Sequence, residues 1–190
     1  MTWAPDYCTS SELKSYLKID DTADDTLVAL WVTTVSRNVD DHCGRQFGQV
    51  AALETREYRA AYDRHEGGWF ADIDDVQDVD DLTVIDENAD TVTDYTLLPV
   101  NAAKKGKPYT RIQVPGCGPY TIDALWGWTA VPAAVKVGIF LQAARLEARR
   151  QSPFGVAGSP EQGSELRLLA QLDPDFRTSL KPFVRGWWAA

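Results

Sequence analysis

The sequence predicts an α+β fold: a small helical bundle of two N-terminal helices, a long third helix and a short C-terminal helix, with a β-rich insertion. Three observations predict it. Apolar residues recur at three- and four-residue steps after Thr22 and again after Pro132, which is the spacing of one helix face. Between those stretches the apolar runs are short and punctuated by Gly, Pro, Asn and Asp, the texture of strands and turns. The chain has 190 residues, a length that suits one domain, or one domain with a sizeable insertion, and that can bury a real core.

The elements follow in order. Thr9 and Glu12 have capping-box spacing, and Leu13, Tyr16 and Leu17 follow at helical intervals, so a short helix is expected over 10–17. Ile19-Asp20-Asp21 breaks it, and Thr22 and Asp25 restart a second helix. Its expected inner face is Leu27, Leu30, Trp31, Thr34, Val35, Asn38, Val39 and His42, with Gly44 as C-cap. This N-terminal helix pair spans 9–48. The β-rich insertion spans 49–130, with strand candidates at Tyr58 and Ala60, Ile73–Val79, Leu82–Ile85, Tyr95–Leu98, Arg111–Val114 and Tyr120–Trp126. Asp86-Glu87-Asn88-Ala89-Asp90 reads as a hairpin turn, and Lys104-Lys105-Gly106-Lys107-Pro108 as an exposed basic loop.

Pro132 suits the first position of the long core helix over 131–151. Apolar residues cover most of its circumference, which predicts burial on several sides. Gly138 costs about 1 kcal/mol there relative to Ala, so a close backbone approach is expected, against the second helix. Residues 152–190 form a loop and a C-terminal segment. Glu165–Leu172 fits either strand or helix. Asp173 caps and Pro174 opens a short helix that Pro182 ends, with Phe176 and Leu180 four apart.

Composition bounds the function. A net charge of −9 argues against a protein that grips phosphates with clustered Lys and Arg, but an acidic surface lets DNA slide past without sticking. Seven Trp favour large interfaces. Cys8, Cys43 and Cys117 form no CxxC pair, so neither a disulfide framework nor a zinc site is expected. The first residues show no secretory signal, and the longest apolar stretch, 131–144, is too short to span a bilayer.

No motif specifies catalysis. The run Asp72–Asp81 contains six aspartates but lacks the sharp-turn Gly and terminal bidentate Glu of an EF-hand loop. Its Ile73, Val76, Val79 and Leu82 read as inward contacts of a solvated β segment. His42 reads as a satisfied core histidine and His65 as a loop tip; a metal centre needs three or four convergent ligands. His42 and Cys43 are adjacent on one helix and point about 100° apart, so they form no nucleophile–base pair. Gly116-Cys117-Gly118-Pro119 lacks the Lys-Ser/Thr of a phosphate loop. Phe183, Val184, Trp187 and Trp188 form an aromatic tail that either packs back on the domain or docks on a partner, docking being favoured by the neighbouring Arg185.

Several segments, in order, resemble the head–tail connector (adaptor) proteins of long-tailed bacteriophages, especially those of actinobacterial hosts. They are Thr9–Phe47, ending in Cys-Gly-Arg-x-Phe; Asp75–Val84; Tyr95–Ile112; Leu125–Lys136; the stretch RRQSPFGVAG from Arg149 to Gly158; and LDPDFRTSLKPFVR from Leu172 to Arg185. Departures are the Glu165–Leu169 stretch, less basic than the pattern, and the added Gly186–Ala190 tail. The resemblance implies a structural virion protein, not an enzyme and without a cofactor. It implies a dodecameric ring of identical copies beneath the portal protein, which helps retain packaged DNA and offers a docking surface to the next head-closure or tail-side neck protein. DNA would pass through the lumen without sequence-specific binding, no membrane would be involved, and the protein would sit in the virion neck after assembly in the host cytoplasm. By the same resemblance, portal or inter-subunit contacts fall on Arg150, Ser152, Pro153, Phe154, Gly155, Phe176, Phe183, Arg185, Trp187 and Trp188. Two other readings compete: a head-closure or tail-completion protein elsewhere in the neck, and a metal-dependent enzyme built on Asp72–Asp81.

Overall fold

The computed structural model describes residues 3–151, 156–157, 166–167 and 172–186. The fold is α+β. The chain divides into two compact units, a helical one formed by Met1–Gln46 with Val131–Ala190, and a β-rich one formed by Phe47–Ala130.

In the helical unit, α1 (Ser10–Leu17) is opened by the expected capping box: Thr9 Oγ1 accepts from the Glu12 N–H and the Glu12 carboxylate accepts from the Thr9 N–H. Lys18 ends it in the left-handed region, φ 58°. Lys14 bridges the Asp-rich turn, reaching Asp21 O and Asp25 Oδ1, both at 2.5 Å. The next helix, α2 (Asp25–Cys43), closes on Gly44 with φ 61°. Its buried face is Val28, Trp31, Val32, Val35, Ser36, Val39 and Cys43. This rotates the expected face: Leu30, Thr34 and Asn38 are exposed and His42 is only half-buried. The reason lies upstream. The segment Pro5–Cys8 lies along α2, with Tyr7 N–H on Ser36 Oγ (3.2 Å), Tyr7 O–H on Asp40, Thr33 on Asp6 and Arg37 on Pro5 O. Tyr7 and Cys8 are buried by it.

The long helix α3 (Ala133–Gln151) buries Val135, Ile139, Gln142 and Ala143. It joins α1 by Lys136–Glu12 (2.5 Å) and a stacked Tyr16–Phe140 pair, centroids 5.3 Å apart. Among the described residues it is not buried on several sides: Val137 is 53% and Leu141 38% exposed. After it, β8 (Val156–Ala157) pairs antiparallel with β9 (Leu166–Arg167). The C-terminal α4 (Pro174–Leu180) continues into a 3-10 turn, Lys181–Phe183.

The β-rich unit holds two antiparallel sheets. One has the order β1 (Glu54–Arg59), β7 (Pro119–Ala124), β4 (Thr83–Ile85). The other has the order β2 (Ala61–Asp63), β3 (Gly68–Val76), β6 (Tyr109–Val114), β5 (Thr96–Leu98). Alternating residues bury Phe70, Ile73, Val84, Ile112, Ile122 and their neighbours. The expected hairpin turn at Asp86–Asp90 is present: Asp86 Oδ1 accepts from the N–H of Asn88 and of Asp90, and Ala89 takes φ 66°. Two crossing segments close the unit. Gly127 donates to Asp75 O (2.6 Å) and accepts from Gln77 N–H, while Trp128 N–H donates to Gly48 O (2.8 Å). Gly127 has φ 111°, and a Cβ there would lie 2.0 Å from Gly48 O, so only glycine fits the crossing.

Candidate interaction surfaces

The C-terminal segment is fixed from its first residue. Asp173 caps α4 by accepting from the N–H of Asp175 and of Phe176, and its second oxygen takes Arg145 Nη1 at 2.6 Å. Its own N–H donates to Gln142 Oε1 on α3. Partial burial opposes the charged form of Asp173, but the Phe176 N–H, Arg145 and the Asp175 N–H outweigh it and hold the carboxyl below its usual range. One turn on, the Phe176 ring is seated against Gly138, where a Cβ would stand 1.8 Å from the ring carbons. Gly138 therefore makes the expected close approach, but its partner is the Phe176 ring of α4 rather than α2. Leu180 is fully buried beside it. The segment is tied down again where Arg185 N–H donates to Cys43 O at 2.7 Å, satisfying a carbonyl at the end of α2.

The expected interface residues are distributed unevenly over this frame. Phe176 is 1% exposed, so its ring packs inside its own unit and holds α4 on α3. Phe183 and Arg185 are half-buried on the closing turn. Arg150, at the end of α3, pairs with Asp24 at 2.9 Å, an exposed pair that raises the guanidinium pKa. Ser152, Pro153, Phe154, Gly155, Trp187 and Trp188 lie outside the described residues.

Two further surfaces are exposed, of which the sequence foreshadows only Val184, in the aromatic tail. On α3 the outward positions Ala134, Val137, Leu141 and Ala148 are exposed with Ala144 between them, and none carries a charge. Tyr16, 45% exposed, stacks beside this stripe. An ordinary surface helix is polar on that side. In the C-terminal segment Arg177 on α4, Lys181 on the 3-10 turn and Val184 just after it are all exposed. The apolar period of α3 reads as core in the sequence, and no helical period links Arg177 to Val184, because α4 ends at Leu180.

The β-rich unit carries most of the charge. It holds fifteen acidic against seven basic residues, a net −8. The aspartates of the 72–81 run are engaged separately. Asp72 faces Arg111 at 3.8 Å, and Asp74 takes Arg56 and the Tyr58 hydroxyl, both at 2.8 Å. Asp75 is buried and accepts the Trp128 indole N–H at 2.8 Å. A register shift between Asp72 and Val76 breaks the alternation of β3, so Asp75 and Val76 both turn inward. Asp75 is therefore corrected from a solvated residue to a core one, and Val79 from an inward contact to a residue 37% exposed. Among the described residues no group of three or more His, Cys, Asp or Glu converges on a metal site.

His42 lines a groove of about 480 Å³ between α2 and α3, with Asn38, Asp41, Gln142, Leu146 and Arg149. This corrects it from a core residue to a groove residue. Cys43, next to it, is buried, and burial pushes its thiol up to about 11; burial does the same to Cys8. Both thiols are protonated near neutral pH and are poor nucleophiles. No helix among the described residues is long and apolar enough to cross a membrane.

No protein-family model matches the chain, and no curated protein matches it. A solved structure does. A chain in the neck of an empty gene transfer agent (GTA) particle, computed with C6 symmetry, matches over 91% of this protein and 97% of that chain, with a TM-score of 0.51 and 19% identity. The two chains share a fold over nearly their whole lengths.

Proposed function

We propose that the protein is a structural neck component of a phage-like particle, and within the neck the connector ring at the head–tail interface, beneath the portal. The observation that carries the reading is the fold shared across nearly the entire chain with a component of a particle neck. The ordered set of connector-like segments in the sequence supports it independently, because those segments span both units. The exposed apolar outer face of α3 supports assembly: an uncharged helix face in an otherwise acidic chain is a surface that another subunit covers.

In this reading the protein works by position. Identical copies form a closed ring by head-to-tail contacts, with the C-terminal segment and the loop after Arg150 turned to the portal or to neighbouring copies. The acidic β-rich unit repels phosphate and keeps DNA moving. The ring helps retain the packaged genome and docks the next neck protein, and no catalytic group is required. Six copies and twelve both satisfy sixfold symmetry, so the copy number is read from images.

The test is to mix the purified chain with the portal protein of the same particle and image the product by electron microscopy. A symmetric collar on one end of the portal is the expected result. A bare portal overturns the connector position, and the same imaging on tail-side rings then tests a head-closure or tail-completion position.

A further inference from the structure

We propose that Arg177 on the C-terminal helix, with Lys181 and Val184 on the turn that follows it, grips a neighbouring copy of this chain at the turn formed by Val79, Asp80 and Asp81. The setting, a ring of identical copies, rests on the neck reading; the two halves of the contact go beyond it.

The first half is a presented surface. Arg177 and Lys181 are exposed and make no ion pair among the described residues, whereas Lys14, Lys136, Arg145 and Arg150 are all paired. Val184, 42% exposed, follows the 3-10 turn that begins at Lys181. The frame beneath is rigid: Phe176 and Leu180 are buried, Asp173 caps, and Arg185 N–H is tied to Cys43 O. Little ordering entropy remains to be lost on docking, which favours binding.

The second half matches it in chemistry and opposes it in sign. Five of the fifteen acidic side chains of the β-rich unit are held in ion pairs inside it. Asp63, Glu66 and Asp72 surround Arg111, and Glu54 and Asp74 hold Arg56. Asp80 and Asp81 are exposed and make no ion pair among the described residues. They adjoin exposed Val79, and the turn is closed by Leu82 N–H on Val79 O at 3.2 Å. Each surface is thus an exposed valine beside two uncommitted charges. Complementary charges around an apolar centre set register and partner choice in protein interfaces. Two cations beside a valine suit DNA poorly, because phosphate binding needs a longer basic track. Surface and counterpart differ, so the contact is heterologous, the kind that forms a ring when the rotation between copies closes.

The experiment uses the full chain and needs no portal. Sedimentation velocity at about 50 mM NaCl, where screening is weak, is expected to show self-association that is lost at about 500 mM. R177E/K181E and D80K/D81K are each expected to weaken association at least tenfold while keeping the wild-type circular dichroism spectrum. Mixing the two variants is expected to restore association, since each supplies the surface the other reverses. A wild-type chain that stays monomeric at low salt overturns the proposal, as does either variant associating normally. A mixture that fails to recover overturns it too, because the charges then do not meet across copies. If R177E/K181E loses duplex DNA binding in an anisotropy titration and associates normally, the surface belongs to DNA. Failure of these arms alongside a portal collar removes this contact and leaves the neck reading standing.

Discussion

Gly138→Ala isolates the docking of α4. In an exposed helix interior this substitution stabilises by about 1 kcal/mol, because alanine restricts the unfolded chain and favours the helix. Here the added methyl would stand 1.8 Å from Phe176 Cδ2 and Cε2, where carbon contacts need about 3.5 Å or more. The ring cannot step aside, since it is 1% exposed and the cap at Asp173 fixes its backbone. Relief means lifting α4, which exposes Phe176 and Leu180 at about 1.5–3 kcal/mol each. After the helix gain is subtracted, we expect a net loss of about 2 kcal/mol or more. The assay is the urea midpoint of wild type, G138A, F176A and the double variant. F176A alone is expected to cost about 3–5 kcal/mol. In that background G138A meets no ring, so its sign is expected to reverse to a gain of up to about 1 kcal/mol. G138A as stable as wild type, with no sign reversal in the F176A background, would refute the packing argument.

Further outcomes are expected at Gly127, at Asp173 and at the C-terminal residues. Gly127→Ala places a Cβ 2.0 Å from Gly48 O at a φ of 111°, so the unit should lose about 2 kcal/mol or more, read as a lowered melting temperature and weaker Trp near-ultraviolet dichroism. Asp173→Ala removes the cap of α4 and should cost about 1 kcal/mol, measured by urea denaturation. Because the folded Asp173 carboxyl titrates below its ordinary value near 3.9, the stability it contributes is present above that value and is lost as pH falls through the folded pKa; Asp173→Asn should therefore flatten the acid limb of the stability profile. Removing 187–190 should leave the fold intact and abolish portal attachment if Trp187 and Trp188 are anchors, whereas removal from Phe183 should also destabilise the fold because the Arg185–Cys43 bond goes with it; co-sedimentation with portal and circular dichroism separate the two.

Much of the fold was legible because local chemistry decides it. The Thr9–Glu12 box, the Asp173-Pro174 start and the Asp86–Asp90 turn each satisfy their own backbone within a few residues. The phase of α2 was not legible, because Tyr7 reaches Ser36 across 29 residues and its packing, rather than the count of apolar positions, selects the inward face. Nor could alternation place Asp75: a single register shift in β3 turns it inward, and only the partner strand shows where the shift falls.

The candidate surfaces show a limit of the same kind. Val137 and Leu141 read as core in the sequence because a helix apolar on every side belongs inside something. Among the described residues nothing covers them, although the opposite face of α3 is packed. Sequence records the burial a residue has in its working state, and a single chain displays only the part satisfied alone. The disagreement between an apolar circumference and a helix buried on one side among the described residues therefore supports the assembly proposed above. It also gives a reason why an ordered series of segments resembled an assembly protein when no single residue suggested a reaction.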